Sequence, residues 1–120
     1  MENKTNKIKN ELSQFTGTEN YYRYHNLLLT DGTYYLAQTA QCFWLIDVIW
    51  SHVGQWLAKE DFITCKLTVN ASVGNVVFDD GNKNVLAAQT IPYTDFPLEK
   101  AQLFIVRENN RFVVMLPTEY

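Results

Sequence analysis

The segment QCFWLIDVIWSHVGQWLAK, residues 41–59, decides the fold because its apolar side chains recur at the spacing of an α-helix. At about 100° per residue these side chains fall within an arc of about 160°. The opposite arc carries small and polar residues. We therefore predict one continuous helix over 41–59 that packs across one face of a sheet. The apolar arc comprises Phe43, Leu45, Ile46, Ile49, Trp50, Val53, Trp56 and Leu57.

Trp44 and Val48 depart from this pattern, because they lie one turn apart on the polar side of the predicted helix. A tryptophan on that side indicates that another surface covers it, since tryptophan is enriched at interfaces. Three surfaces that would pack over Trp44 and Val48 are consistent with the pattern: the N-terminal helix, a second copy of the protein, or a different partner.

Two regions precede the main helix. Residues 4–15 carry one thin apolar stripe at helical spacing, which predicts a short N-terminal docking helix. Residues 20–29 and 33–38 flank Asp31 and Gly32. Because an Asp-Gly pair between apolar runs is typical of a hairpin turn, we predict two antiparallel strands there.

Residues 63–69 alternate apolar and polar side chains, which predicts a half-buried strand, and the turn residues at 79–82 and 109–110 predict two hairpins after it. Strands in succession with segregated helices favour an α+β fold, with a single antiparallel β-sheet of about five to seven strands. The predicted strands are 63–69, 73–78, 84–91, 102–107 and 111–116, with a loop at 93–101 that holds one helical turn capped by Thr94 or Asp95.

The 120-residue length and the 47% apolar composition predict one globular domain over residues 1–120. No apolar run is long enough to cross a bilayer, and residues 1–15 lack the apolar core of a signal peptide. We therefore expect a cytoplasmic protein in which Cys42 and Cys65 are reduced, buried thiols. The net charge of −3, with scattered lysines and arginines, argues against a nucleic-acid partner.

The sequence contains no recognisable catalytic or metal-binding motif. His25 or His52 would act as a general base only beside an orienting carboxylate and a nucleophile, and no such motif is present. No two histidines or cysteines have the short spacing of metal ligands. We therefore expect no catalytic residue and no metal site, and the sequence favours a protein that is not an enzyme.

A flat aromatic ligand is a further hypothesis. His25, His52, Tyr22 and Tyr24 are the candidate residues for holding a haem-like group, a flavin or a nucleobase between helix and sheet. The competing interpretation is that the rings of this region build the core. The helical arc favours the core, because it already places most of the rings inward.

The function that the sequence favours is a non-enzymatic binding or regulatory module that acts through an aromatic surface. The candidate surface residues are Trp44, Val48, Tyr21 and Arg23, and the partner would be another protein or a second copy in a homodimer. The alternative function is a binder of the small planar ligand described above.

Four segments also carry a resemblance: FTGTENYYRY, LLLTDGTYYLAQTAQCFWLIDVIWSH, IPYTDFPL and LPTEY. They are similar to a family of small bacterial proteins known as a domain of unknown function, with members in cyanobacteria and on phages and plasmids. The resemblance covers nearly the whole chain. It implies a prokaryotic cytosolic protein that a mobile element carries, and it implies no catalytic residues.

Overall fold

The computed structural model describes residues 4–120, which form three α-helices and one seven-stranded sheet and so confirm the α+β class. The helices are α1 (Lys4–Leu12), α2 (Asp31–Thr39) and α3 (Phe43–Val53). The strands are β1 (Tyr21–Tyr24), β2 (Leu27–Thr30), β3 (Phe62–Asn70), β4 (Val73–Asp79), β5 (Val85–Ile91), β6 (Lys100–Glu108) and β7 (Arg111–Met115).

The strand order across the sheet is β1-β2-β7-β6-β3-β4-β5. Every neighbouring pair is antiparallel except β2 and β7, which run parallel, so the prediction of an antiparallel sheet was wrong for this pair. Parallel strands need a long crossover rather than a tight turn. Residues 31–110, which separate β2 from β7, supply that crossover.

The C-terminal strands confirm the sequence pattern. The five strands β3 to β7 overlap the five predicted segments, and β4–β5 and β6–β7 pair as the predicted hairpins. The loop before β6 contains no helical turn. Its conformation comes instead from Thr94, whose hydroxyl oxygen accepts the Phe96 backbone N–H at 3.1 Å and so forms a local turn.

Residues 31–39 form a helix, so the predicted strand at 33–38 and the hairpin turn at Asp31 were wrong. Thr30 caps α2, because its Oγ1 accepts the Thr33 backbone N–H at 3.3 Å. Buried residues recur at helical spacing through the segment, and this signal was available in the sequence. They are Gly32, Thr33, Leu36 and Ala37, with Ala40 directly after the helix.

The predicted strand at 20–29 is itself a hairpin, since β1 and β2 pair with Tyr24 opposite Leu27. His25 and Asn26 form the two-residue turn. His25 has a φ of +54°, in the left-handed region that favours glycine. The structure therefore places the chain reversal six residues before the Asp-Gly pair, at a position with no glycine signal.

The predicted continuous helix over 41–59 is also corrected. Gln41, at a φ of +52°, separates α2 from α3, and α3 passes into a turn of 3-10 helix at Gly54–Trp56. The low helix propensity of glycine is consistent with this change at Gly54. Trp50, predicted to face the core, is 43% exposed. Its indole N–H donates to Asn26 Oδ1 at 2.9 Å, so the β1–β2 turn holds it aside.

The core lies between the helices and one face of the sheet. Alternate strand residues contribute to it together with apolar residues of all three helices, including Ile8 of α1. Cys42 and Cys65 are both buried there as free thiols. Each helix described over residues 4–120 falls short of the length and hydrophobicity that a membrane span requires.

Candidate functional site

A groove runs along the side of α3 that carries Trp44 and Val48. Its other wall is formed by Ile91 at the end of β5 and by residues 93–95, and its volume is about 400 Å³. Trp44 and Val48 are half-buried, whereas Tyr93 is 73% exposed at the rim. We call this the Trp44 groove, with the lining residues Trp44, Val48, Ile91, Tyr93, Thr94 and Asp95.

The wall opposite α3 is anchored at both ends. The Thr94 backbone N–H donates to the Ser72 carbonyl at 2.8 Å, which ties the loop to the β3–β4 turn. Phe96, two residues further on, is buried in the core. Because the loop is fixed on either side of Asp95, the groove is preformed, which reduces the entropy lost when a partner binds.

The groove has apolar walls and an acidic rim. Asp95 is exposed and is the charged group among the lining residues. Aromatic walls bind apolar side chains through area and shape, and a carboxylate at the rim favours a neighbouring cation. Sequence reasoning found Trp44 and Val48 but missed Tyr93. The available signal was a large aromatic residue directly after Pro92, in a loop rather than in a strand.

Tyr21 and Arg23 do not join this groove. They lie on the edge strand β1 and alternate with Tyr22 and Tyr24. Tyr24 contacts a ring of α3, and successive strand residues point to opposite faces of a sheet. The four residues predicted as one partner surface therefore divide between the α3 side and the opposite face of the sheet edge.

A cluster of stacked rings fills the space between β1, α2 and α3. The ring centroids of Tyr22 and Tyr34 lie 4.2 Å apart, and those of His25 and Trp50 lie 4.3 Å apart. Tyr24 stacks on Phe43 at 5.7 Å. Each of these rings therefore presents a face to a partner within the protein rather than to an open slot.

Hydrogen bonds fix the orientation of this ring cluster. The Tyr24 hydroxyl donates to Asp47 Oδ1 at 2.6 Å, and this bond, with burial, raises the pKa of the phenol. Burial and the neighbouring Asp31 carboxylate likewise raise the pKa of Tyr22. His25 Nε2 lies 4.0 Å from Asp47 Oδ1, so a carboxylate is near this imidazole.

His52 lies apart from the other predicted ligand residues. Its Nε2 is 2.8 Å from Gln89 Oε1 on β5, and its ring packs 5.0 Å from that of Phe78. The structure therefore brings Tyr24 and His25 together, places Tyr22 beside Tyr34, and leaves His52 in a separate contact. Binding of a planar ligand by these residues stays a prediction.

The two cysteine thiols are buried in the core. Burial raises the pKa of Cys42 and of Cys65 to about 12, so neither supplies a thiolate near neutral pH. His25 has a carboxylate neighbour in Asp47, but these thiols lie in the core, away from that exposed pair. Within residues 4–120, no group of three metal-ligating side chains comes together.

Comparison with solved structures gives a fold relative. The chain is similar to a protein of unknown function from Enterococcus faecalis, with a TM-score of 0.58 and 22% sequence identity. The superposition covers 79% of this chain and 90% of the enterococcal chain. At this identity the likeness shows the fold alone. No curated protein sequence matches the chain.

Comparison with family models covers nearly the whole chain. Residues 6–120 match the model described as "Family of unknown function (DUF6876)". This match spans all four segments on which the resemblance rests and confirms it. The chain therefore belongs to this family of unknown function.

Proposed function

We propose that the protein is a non-enzymatic binding module that holds an apolar side chain of a protein partner in the Trp44 groove. The observation that carries this proposal is the position of Tyr93. This residue is 73% exposed, yet it stands on an anchored loop opposite a half-buried tryptophan. An exposed large aromatic residue beside a preformed apolar groove is typical of interaction surfaces.

The chemistry of the groove defines the partner. Trp44 and Tyr93 provide aromatic walls for one aliphatic or aromatic anchor residue, and Asp95 favours a lysine or arginine next to that anchor. A short segment with this pair of residues would fill the groove. Regulation would then follow from whether the partner is bound. A second copy of the chain is the competing occupant, which the oligomeric state tests.

Panning a random peptide library displayed on phage against the purified protein tests the proposal, because random sequences sample every anchor residue and its neighbours. We expect enriched peptides to carry a large apolar residue beside a basic one. Tyr93→Ala should weaken their binding by tenfold or more, since truncated hot-spot residues cost at least about 2 kcal/mol. Asp95→Asn should weaken the binding less and should reduce its dependence on salt.

Matched controls separate the groove from general exposure of aromatic rings. Tyr21→Ala removes a tyrosine that is 52% exposed on the edge strand, and Trp50→Ala removes an exposed tryptophan of α3 outside the groove. Neither should change peptide binding. Equal binding to Tyr93→Ala and to the unsubstituted protein would contradict the proposal. A dimer in size-exclusion chromatography that Tyr93→Ala dissociates would assign the groove to a second copy instead.

Trp44→Ala is the complementary variant. Trp44 packs against the core while it lines the groove, so we expect the fold to be retained and the affinity to fall. Thermal unfolding checks the first expectation, and peptide binding checks the second. A large loss of stability without any effect on binding would make Trp44 a core residue.

A further inference from the structure

A second concave site lies away from the Trp44 groove, between α1 and the start of β6. Its volume is about 320 Å³, at the lower end of the range for pockets that hold small molecules. Residues 116–118 close one end, and Leu36 of α2 contributes to the wall. We call it the α1–β6 cleft. Neither the sequence patterns nor the family match assigns a role to it.

The wall of the α1–β6 cleft is continuous with the core. Leu36, Leu98 and Leu116 are all buried, and each also lines the cleft. Leu12 of α1 is half-buried on the same wall. The cleft is therefore an apolar recess, which favours the apolar part of a ligand over water.

The rim of the cleft carries two cations from different elements. Lys9 belongs to α1 and Lys100 begins β6, and both side chains are exposed. The ion pairs of residues 4–120 include neither lysine. Glu99 also lines the cleft, so these three side chains leave a single net positive charge in a protein whose net charge is −3. A monoanion matches this balance.

The wall that α1 provides is a helix of nine residues. Ile8 is its buried residue, and the Thr5 hydroxyl donates to the Pro97 carbonyl at 2.9 Å. A helix this short depends on tertiary contacts for its stability. A ligand that contacts both Leu12 and Lys9 would add to these contacts, so its binding should slow local opening of α1.

From this juxtaposition of a leucine-lined recess with two exposed lysines that are absent from the ion pairs of residues 4–120, we infer that the α1–β6 cleft binds a small monocarboxylate with an apolar body. The carboxylate lies at the rim between Lys9 and Lys100, and the apolar body lies against Leu36, Leu98 and Leu116. A medium-chain fatty acid has this chemistry. The inference is independent of the Trp44 groove, which has different lining residues.

Isothermal titration and amide NMR with decanoate, below the concentration at which it aggregates, test the inference. We expect one molecule to bind per chain, with shifts at residues 9–13 and 98–102 and slower hydrogen exchange in α1. Octanoate should bind more weakly by up to about fourfold per methylene removed. Decylammonium has the same chain with the opposite charge and should bind at least tenfold more weakly than decanoate.

Two double variants isolate the role of the rim. Lys9→Gln with Lys100→Gln should weaken decanoate binding by fivefold or more and remove the preference over decylammonium. Lys59→Gln with Lys83→Gln makes the same change in net charge outside the cleft and should leave binding unchanged. Tyr93→Ala should also leave decanoate binding unchanged, so failure of either proposed site is distinguishable from failure of the other.

Three results would overturn the inference. The first is a failure of decanoate to bind at all. The second is an equal loss of affinity in the two double variants, which would mean attraction to total charge rather than to this rim. The third is tighter binding of a short peptide with a C-terminal leucine, with shifts in the same residues, which would assign the cleft to a protein terminus instead of a small molecule.

Discussion

The side chain of Glu119 caps the helix that begins with Asp31-Gly32: its Oε2 accepts the Gly32 backbone N–H at 3.1 Å, across 87 residues of sequence. Its Oε1 accepts from the Thr30 hydroxyl at 2.6 Å and from the Leu116 backbone N–H at 3.0 Å. A carboxylate at a helix N-terminus is favoured by the helix dipole. Glu119 therefore joins the C-terminal segment to α2.

Loss of this carboxylate should destabilise the fold. Glu119→Ala removes the acceptor of the Gly32 and Leu116 backbone N–H groups, whereas the Thr30 hydroxyl keeps the Val114 carbonyl as an acceptor. A hydrogen bond to a charged group contributes about 1.5–3 kcal/mol, and water replaces part of that loss because Glu119 is half-buried. We expect the free energy of unfolding in urea to fall by about 2–3 kcal/mol. Glu108→Ala removes an exposed glutamate of β6 and should change it by less than about 0.5 kcal/mol. Equal effects would mean that Glu119 is not a cap.

Replacing Gly32 of α2 and Gly54 of the 3-10 turn with alanine should change the stability of the fold in opposite directions. A Cβ at Gly32 would lie 2.5 Å from Leu116 Cδ1 and 2.6 Å from Glu119 Oε1, so Gly32→Ala should destabilise by about 1–3 kcal/mol. Gly54 has open space around it and a φ of −54°, so Gly54→Ala should stabilise by about 0.4–1 kcal/mol. Urea unfolding measures both changes.

A double variant tests whether the Gly32 effect comes from the Glu119 contact. Gly32→Ala should cost less in a Glu119→Ala background than alone, because one of the two crowding side chains is gone. Strictly additive free energies would show that Leu116 alone produces the crowding.

Acid should weaken the fold partly through Asp31. Its carboxylate accepts the Glu19 backbone N–H at 2.9 Å and the Asn20 N–H at 3.3 Å, and these bonds lower its pKa. Because its pKa is lower in the folded state than the unfolded-state pKa of about 4, the Asp31 carboxylate stabilises the fold above about pH 4. This stabilisation is lost as the pH falls through the folded-state pKa. Asp31→Asn should therefore flatten the dependence of unfolding free energy on pH below about 4. An unchanged acid slope would contradict this role.

Neither thiol should react in the folded protein. Burial raises the pKa of Cys42 and Cys65 to about 12, so at pH 8 the reactive thiolate is scarce as well as inaccessible. We expect Ellman's reagent to modify both thiols in urea and neither within minutes under native conditions. Rapid modification of one thiol in the native protein would show that its surroundings open.

The sequence predicts structure well where local signals decide it. Strand β3 alternates apolar and polar residues, and short turns join β4 to β5 and β6 to β7, so neighbouring residues specify these strands and hairpins. Asp31-Gly32 misled because the same dipeptide suits a hairpin turn and the first turn of a helix. The helical spacing of the apolar residues that follow is the local signal for the helix, and the contact with Glu119 that adds to it lies far along the chain.

The residues of the candidate site also divide into those that the local sequence pattern predicts and those that depend on contacts far along the chain. Trp44 and Val48 stand out by their helical phase, so the sequence singles them out as side chains that another surface covers, and the structure places both in the Trp44 groove. Tyr93 does not, because its exposure depends on where the loop after β5 is anchored. Helical periodicity alone predicts Trp50 in the core, because it carries no information about the β1–β2 turn. Asn26 of that turn accepts the indole N–H and keeps Trp50 away from the core.

The parallel pair β2–β7 has a consequence for the order in which the molecule assembles. The β3–β4–β5 meander needs only short loops to close, whereas the pairing of β2 with β7 and the contact of Gly32 with Glu119 each join residues more than eighty positions apart. Closing so long a loop is slow. We expect the meander to gain hydrogen-exchange protection early in refolding and β1, β2 and α2 to gain it last, which pulse labelling would resolve.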